Sequence, residues 1–362
     1  MKLFVFSLSF ILFLTGCQEE GNDDPRSGLN LPEDVAFTHL PTDLSRMLEF
    51  GAIGQINVIP KAHGGFGVKD YYSPTPDIPV YAMSDGIIYN IRYEARHYEA
   101  PFAPDSLVGK PYDDYTLHIY ISQTAEMHFG HLSKLAPEIL EQAGNLEIGT
   151  TENDVRIPIR EGQVLANIGT HPGFDVGLYD VKKEHYFANP DRYSIDYRSA
   201  IPFTDFLPEN LREKVWEINP RTVEPLGGKI NYDLDGTISG NWFLEGTTGG
   251  TTWENQLIIA YHERYADRIT IADASPQKER GESNIWWIIG NQPYPEEITP
   301  ESGKVKLNVA TWYKFATTDT PPSEGIILIE LTEDNFLNFE YFPGELPENV
   351  EDFTSNMRVY ER

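Results

Sequence analysis

Apolar residues in this chain come in short runs broken by polar ones, with one exception. Residues 3–14 are almost wholly apolar, interrupted by Ser7 and Ser9, and they follow a positive Lys2. About a dozen apolar residues are too few for a permanent bilayer span, so the run predicts an export signal. From Ile53 the pattern turns to strands. Residues 79–91 predict a strand, a tight Asp85-Gly86 turn and a second strand. Residues 115–122 (Tyr-Thr-Leu-His-Ile-Tyr-Ile-Ser) alternate as a strand does, and 174–179 predict another. Residues 160–169 read as a turn and then a strand, and 132–143 as a short amphipathic helix. Beyond Arg221 the candidates are 257–261, 269–272, 285–289, 305–315, 326–331, 336–342 and 357–360, opened by 231–243. Turn-prone stretches at 245–251 and 317–324 separate them. About eight strands with hairpin-length connections predict an up-and-down barrel or a two-sheet sandwich.

Composition agrees with a β-rich chain. Aromatic residues make up 12%, enough for sizeable cores, and 29 Gly and 26 Pro keep the apolar runs short. The length of 362 residues suggests two domains behind the leader. The division expected is a signal at 1–17, a flexible acidic tether at 18–32, a first antiparallel β domain at 33–220 and a barrel domain at 221–362. The tether opens Gln-Glu-Glu-Gly-Asn-Asp-Asp, from which no core can be built. The formal charge of −28 repels phosphate, which argues against nucleic acid and against docking on an anionic membrane face. No later apolar run approaches the ~18 residues of a transmembrane helix.

The one cysteine, Cys17, ends Leu14-Thr15-Gly16-Cys17. This resembles a bacterial lipobox, in which the thiol receives a diacylglycerol and becomes the new N-terminus. The resemblance implies an exported protein whose membrane partner is reached through lipidated Cys17, in the outer membrane or a periplasm-facing membrane. The alternative is an ordinary secretory signal with a chance cysteine. Each buried methylene contributes about 0.8 kcal/mol, so two or three acyl chains anchor stably. With Cys17 consumed, no disulfide is available.

Three segments in order carry a second resemblance: residues 79–87 (Pro-Val-Tyr-Ala-Met-Ser-Asp-Gly-Ile), Gly130-His131-Leu132-Ser133, and residues 161–169 (Glu-Gly-Gln-Val-Leu-Ala-Asn-Ile-Gly). Over about 50–185 the chain resembles the lysostaphin/LytM-type zinc endopeptidases (the duplicated hybrid motif fold), which cut peptide cross-links of bacterial cell walls. The family holds zinc through a His and an Asp spaced His-x-x-x-Asp and through the second His of a His-x-His strand. A fourth position is left for water. The resemblance implies His63 and Asp70 as the first pair, although the gap between them is longer than the family's. The His-x-His strand corresponds to 174–179, where alternation puts Asp175 and Gly177 at the two imidazole positions. Gly177 cannot ligate. Asp175 can ligate but cannot act as an imidazole. His131 matches the family's catalytic His.

His128, three residues before His131, is expected to face the same cleft, and His118 to be packed or at the surface. His171 lies in the loop before the degenerate strand. A rebuilt zinc site from His63, Asp70, His131 and Asp175, with or without His171, is chemically allowed; the other reading is polar remnants lining a groove. Losing a ligand usually costs orders of magnitude in affinity or rate, which favours a non-catalytic member of the fold with no cofactor. Such a member implies a binding or regulatory module in the envelope, with peptidoglycan or an envelope protein as partner. In the barrel, Gly240-Asn241-Trp242 with Arg358 or Arg362 resembles a lipocalin-type closure, where a Trp packs under a late Arg. Two alternatives stand beside the binding module: an active zinc metalloendopeptidase cutting peptidoglycan cross-links, and a lipid or small-molecule carrier working through the barrel.

Overall fold

A computed structural model of the chain describes residues 26, 28–56, 60–69, 78–99, 103–149, 152–169, 171–248, 255–274, 284–312 and 320–362. The export signal, Cys17, most of the tether and Asp70 lie outside the described residues. In chain order the first strands are β1 (Met47–Gly51), β2 (Gly64–Val68), β3 (Pro79–Tyr81), β4 (Gly86–His97) and β5 (Pro111–Tyr120). There follow β6 (Ala125–Leu132), β7 (Lys134–Leu135), helix α1 (Pro137–Ala143), β8 (Glu152–Ile159), β9 (Val164–Asn167) and β10 (Gly173–Asp180). Seven strands make one antiparallel sheet in the order β1-β2-β10-β6-β5-β4-β8, and β3-β9-β7 make a smaller one.

Alternation decides which face of the large sheet is buried. In β6, Ala125, Met127, Phe129 and Leu132 point into the core, while Glu126 and His128 point the other way. In β10, Phe174, Val176 and Leu178 point inward, which leaves Asp175 and Gly177 on the opposite face. The inner face packs with Ile88, Leu117, Ile139, Leu165 and Ile168 into one cluster. Two short helices, α2 (Ile195–Ser199) and α3 (Glu209–Trp216), lie in the segment after β10. That segment adds Phe203, Leu207 and Val215 to the cluster. The Phe50 ring sits 5.4 Å from Phe66 and 5.8 Å from Phe203.

Two sequence expectations are refined here. The Asp85-Gly86 turn does not join a hairpin: β3 pairs with β9, whereas β4 pairs with β5 and β8. The turn carries the chain from one sheet to the other. The helix expected over 132–143 is only α1, because Leu132 closes β6 and Lys134–Leu135 is a strand. Pro137 sits in the first turn of α1, where its missing N–H costs nothing. Strand β2, with three glycines, offers no side-chain alternation to read. It is a strand because β1 and β10 pair with it on both edges.

The second half is a closed antiparallel barrel of eight strands in sequence order. They are β11 (Gly240–Leu244), β12 (Gln256–Tyr261), β13 (Ile269–Asp273), β14 (Asn284–Ile288), β15 (Val305–Thr311), β16 (Gly325–Leu331), β17 (Leu337–Pro343) and β18 (Arg358–Glu361). Pairing of Phe243 with Glu361 closes it, so no strand edge is left open. Trp242, Ile259, Ile271, Trp286, Ile327 and Phe339 belong to one buried interior cluster. Ile258, Ala260 and Ala272 face outward and are buried under Ile56 and Tyr232. Of the Trp pair, Trp286 faces in, and Trp287 packs outside against His262 and Tyr265.

The expected Trp–Arg closure is present with Arg362. Its guanidinium carbon lies 3.9 Å from the Trp242 ring centroid. Its N–H groups donate to the carbonyls of Asn241, Leu234, Thr237 and Ser239. Arg358 instead forms a bidentate pair with Asp273, at 2.6 and 3.1 Å, and Tyr360 donates to the same carboxylate at 2.9 Å.

Candidate functional site

The outer face of β2, β10 and β6 forms the floor of a groove of about 410 Å³. Each side chain is placed by its strand. His63 stands just before β2, Asp175 is near the start of β10, and His131 is near the end of β6. His131 owes its direction to a bulge. Between Tyr115↔Leu132 and Leu117↔Phe129, β6 spends one residue more than β5, and His131 takes φ +60°. Without that extra residue, alternation from His128 would turn position 131 into the core. A non-glycine residue in the left-handed region is uncommon and costs of order 1–3 kcal/mol.

The three predicted groups meet at one carboxylate. Asp175 Oδ2 lies 3.3 Å from His131 Nε2, and its Oδ1 lies 3.6 Å from His63 Nδ1. His131 Nδ1 is 3.2 Å from Asp114 Oδ2, and Arg96 Nε is 2.9 Å from that same oxygen. Burial works against charge on His131, but the hydrogen bond to Asp114 and the two carboxylates outweigh it and raise its pKa. Burial likewise opposes ionisation of Asp175, and the imidazoles of His63 and His131 with Lys61 outweigh it and lower its pKa. Burial lowers His63, with Asp175 pulling the other way. Asp175 is therefore a carboxylate held between two imidazoles, with burial disfavouring a proton on His63 and the neighbouring carboxylates favouring one on His131.

His128 faces the same side, as expected, and its ring stacks on His63 at 5.3 Å and 6°. His118, expected to be packed or superficial, is half-buried with its ring edge-on to His128 at 5.2 Å. Burial, with His63 and His118 nearby, pushes His128 well down. His171 closes one end of the groove, 5% exposed, with its ring 5.6 Å from that of His131. One ring N–H reaches the backbone oxygen of Asp113, and Nε2 is buried without a hydrogen-bond partner among the described residues. That nitrogen is left as an unused acceptor beside the groove.

Two glycines shape the rest. Gly177, expected at the second imidazole position, has its side-chain space already filled. A Cβ built there would lie 2.7 Å from the Tyr179 hydroxyl and 3.2 Å from His63 Cβ. Four residues after His63 stands Gly67, at the family's Asp spacing. A Cβ there would lie 3.2 Å from Glu49 Cγ, so a neighbouring strand's carboxylate covers that spot. Among the described residues, two of the three positions at the spacing of the zinc endopeptidases that the sequence resembles are glycines, and Asp70, the expected second ligand, lies outside them. Among the described residues no group of three His, Cys, Asp or Glu is placed to hold a metal ion.

Sequence reasoning missed Asp114, Arg96, Glu49 and Arg264. Arg264 comes from the loop between β12 and β13 and ion-pairs with Glu49, and both line the groove. No spacing signal links positions 215 residues apart. Counting four residues on from His63 would have found Gly67.

No family model matches the chain, and no curated protein matches it. Among solved structures, a zinc-containing peptidase from Vibrio cholerae is similar at 18% identity, with a TM-score of 0.23. The match covers 40% of this chain and 37% of that one, an overlap too slight to define a shared fold.

Proposed function

We propose that the chain is a cell-envelope lipoprotein, anchored through Cys17, whose sheet groove binds a wall peptide or an envelope protein without cutting it. In this reading residues 33–220 form the peptidase-like binding half, and 221–362 the barrel that stands beside it. The observation that carries the proposal is Asp175 clamped between His131 and His63, with Gly177 where a further imidazole is required. Catalytic zinc needs three protein donors and an open water position. Here the carboxylate is engaged by two protein imidazoles, and the room for the missing imidazole is taken by Tyr179. A groove so arranged retains hydrogen-bonding groups for a peptide but holds no activated water.

The test is incubation of the full chain with purified peptidoglycan, with and without added zinc. Sedimentation reads binding, and the appearance of new amino groups reads cleavage. Co-sedimentation without new amino groups is the expected result. Zinc-dependent release of amino groups, lost on His63→Ala, would establish the peptidase instead.

A further inference from the structure

The chain carries 56 acidic residues against 28 basic ones, yet both carboxylates that line the groove already have side-chain partners. Asp175 sits between His63 and His131. Glu49 is taken by Arg264, whose Nη2 donates to it. What remains with unused N–H donors is cationic. Arg264 Nη1 has no hydrogen bond or ion pair among the described residues, and neither has Lys61 Nζ, although both residues line the groove.

Arg264 is held in place rather than trailing in solvent. Its backbone N–H donates to His262 Nδ1 at 3.1 Å. The preceding residue, Glu263, is 4% exposed, and its carbonyl accepts from Arg221 Nη1 at 2.8 Å. The Glu263 carboxylate accepts from the Ile56 N–H and lies close enough to both Arg264 and Lys61 to be influenced by each. Arg264 Nε is 3.7 Å from that carboxylate. The two cations therefore sit near one another, one on the barrel and one on the loop before β2. The glycine at position 67 is what admits this arrangement. A larger side chain there would displace Glu49, and Glu49 is the residue that receives Arg264.

Resting on the binding reading above, we infer that Arg264 and Lys61 form a carboxylate-binding end of the groove, so that the ligand is a peptide carrying a free carboxylate and the barrel supplies its specificity. Guanidinium presents a planar fork of N–H donors, of which Glu49 uses only part. A ligand carboxylate takes the remainder. The barrel then has a part in recognition that needs no cavity of its own.

The test measures binding of acetyl-Ala-Ala-Ala, as the free carboxylate and as the C-terminal amide, to the full chain in detergent at neutral pH by calorimetry. The wild type is expected to favour the carboxylate by about tenfold, the worth of one charge-assisted hydrogen bond. Arg264→Gln is expected to reduce that preference to about twofold or less. Because the single substitution leaves Glu49 unpaired, the double variant Arg264→Gln/Glu49→Gln is measured alongside, with thermal unfolding to verify the fold. It is expected to show the same loss. Equal binding of the two peptides by the wild type overturns the inference, as does a preference that persists in the double variant. If the chain still sediments with peptidoglycan, only this inference falls; if it binds neither peptide nor peptidoglycan, the binding reading falls with it.

Discussion

Acidification should cost the fold stability through His171, by an amount the structure sets. The ring is 5% exposed, edge-on to Tyr112 at 4.9 Å, and burial pushes its pKa from an ordinary 6.5 down to about 4. In the unfolded chain the imidazole takes up its proton below about pH 6.5; in the folded chain it does so only near pH 4. Between those values the unfolded state binds more protons, so stability falls as pH falls. At 1.36 kcal/mol per pH unit, the loss from pH 7.5 to about pH 4 is about 3 kcal/mol. Other groups titrate across the same range. Asp175 and Asp114 have lowered pKa values and lose their contribution as pH falls through them. His131, raised, contributes fully below its ordinary value and loses that contribution as pH rises through the folded value. A comparison with His171→Gln removes these shared terms. Urea unfolding of both proteins at several pH values gives the difference directly. The wild type should lose about 3 kcal/mol relative to the variant between pH 7.5 and pH 4. A difference that stays flat across that range would refute the assignment of His171 as a buried neutral imidazole.

Two further outcomes follow from packing. Gly177→Ala places a methyl 2.7 Å from the Tyr179 hydroxyl and 2.9 Å from its ring carbon, so overpacking should cost about 1–3 kcal/mol in thermal or urea unfolding. An unchanged midpoint would mean that the space is open. Arg362→Ala removes the cation over Trp242 and takes one donor away from each of four carbonyls, which should lower stability by about 1–3 kcal/mol; a neutral result would show that the closure is ornamental.

The barrel was largely legible in the chain. Its strands are separated by turn-prone stretches, and seven of the expected segments lie on strands of the closed barrel. Even the Trp242–Arg362 contact had a local cue. The sheet half was legible where side chains alternate, as in β5 and β10, and illegible where they do not. Strand β2 is glycine at three of five positions, so its identity comes from the partners on either edge. The bulge that turns His131 outward is a mismatch of one residue between two strands, which no single segment encodes.

By itself the amino-acid sequence determined a β-rich chain, the strand-by-strand order of a barrel, and a glycine, Gly177, on the same strand face as Asp175. Period-two alternation and side-chain identity are local properties, readable without coordinates. Only the tertiary structure decided that Asp175 lies between two imidazoles, that Glu49 covers the space beside Gly67, and that an arginine from the barrel reaches the same groove. Those are distances between residues far apart in the chain, set by how sheets pair and halves pack, and a linear pattern carries no record of them.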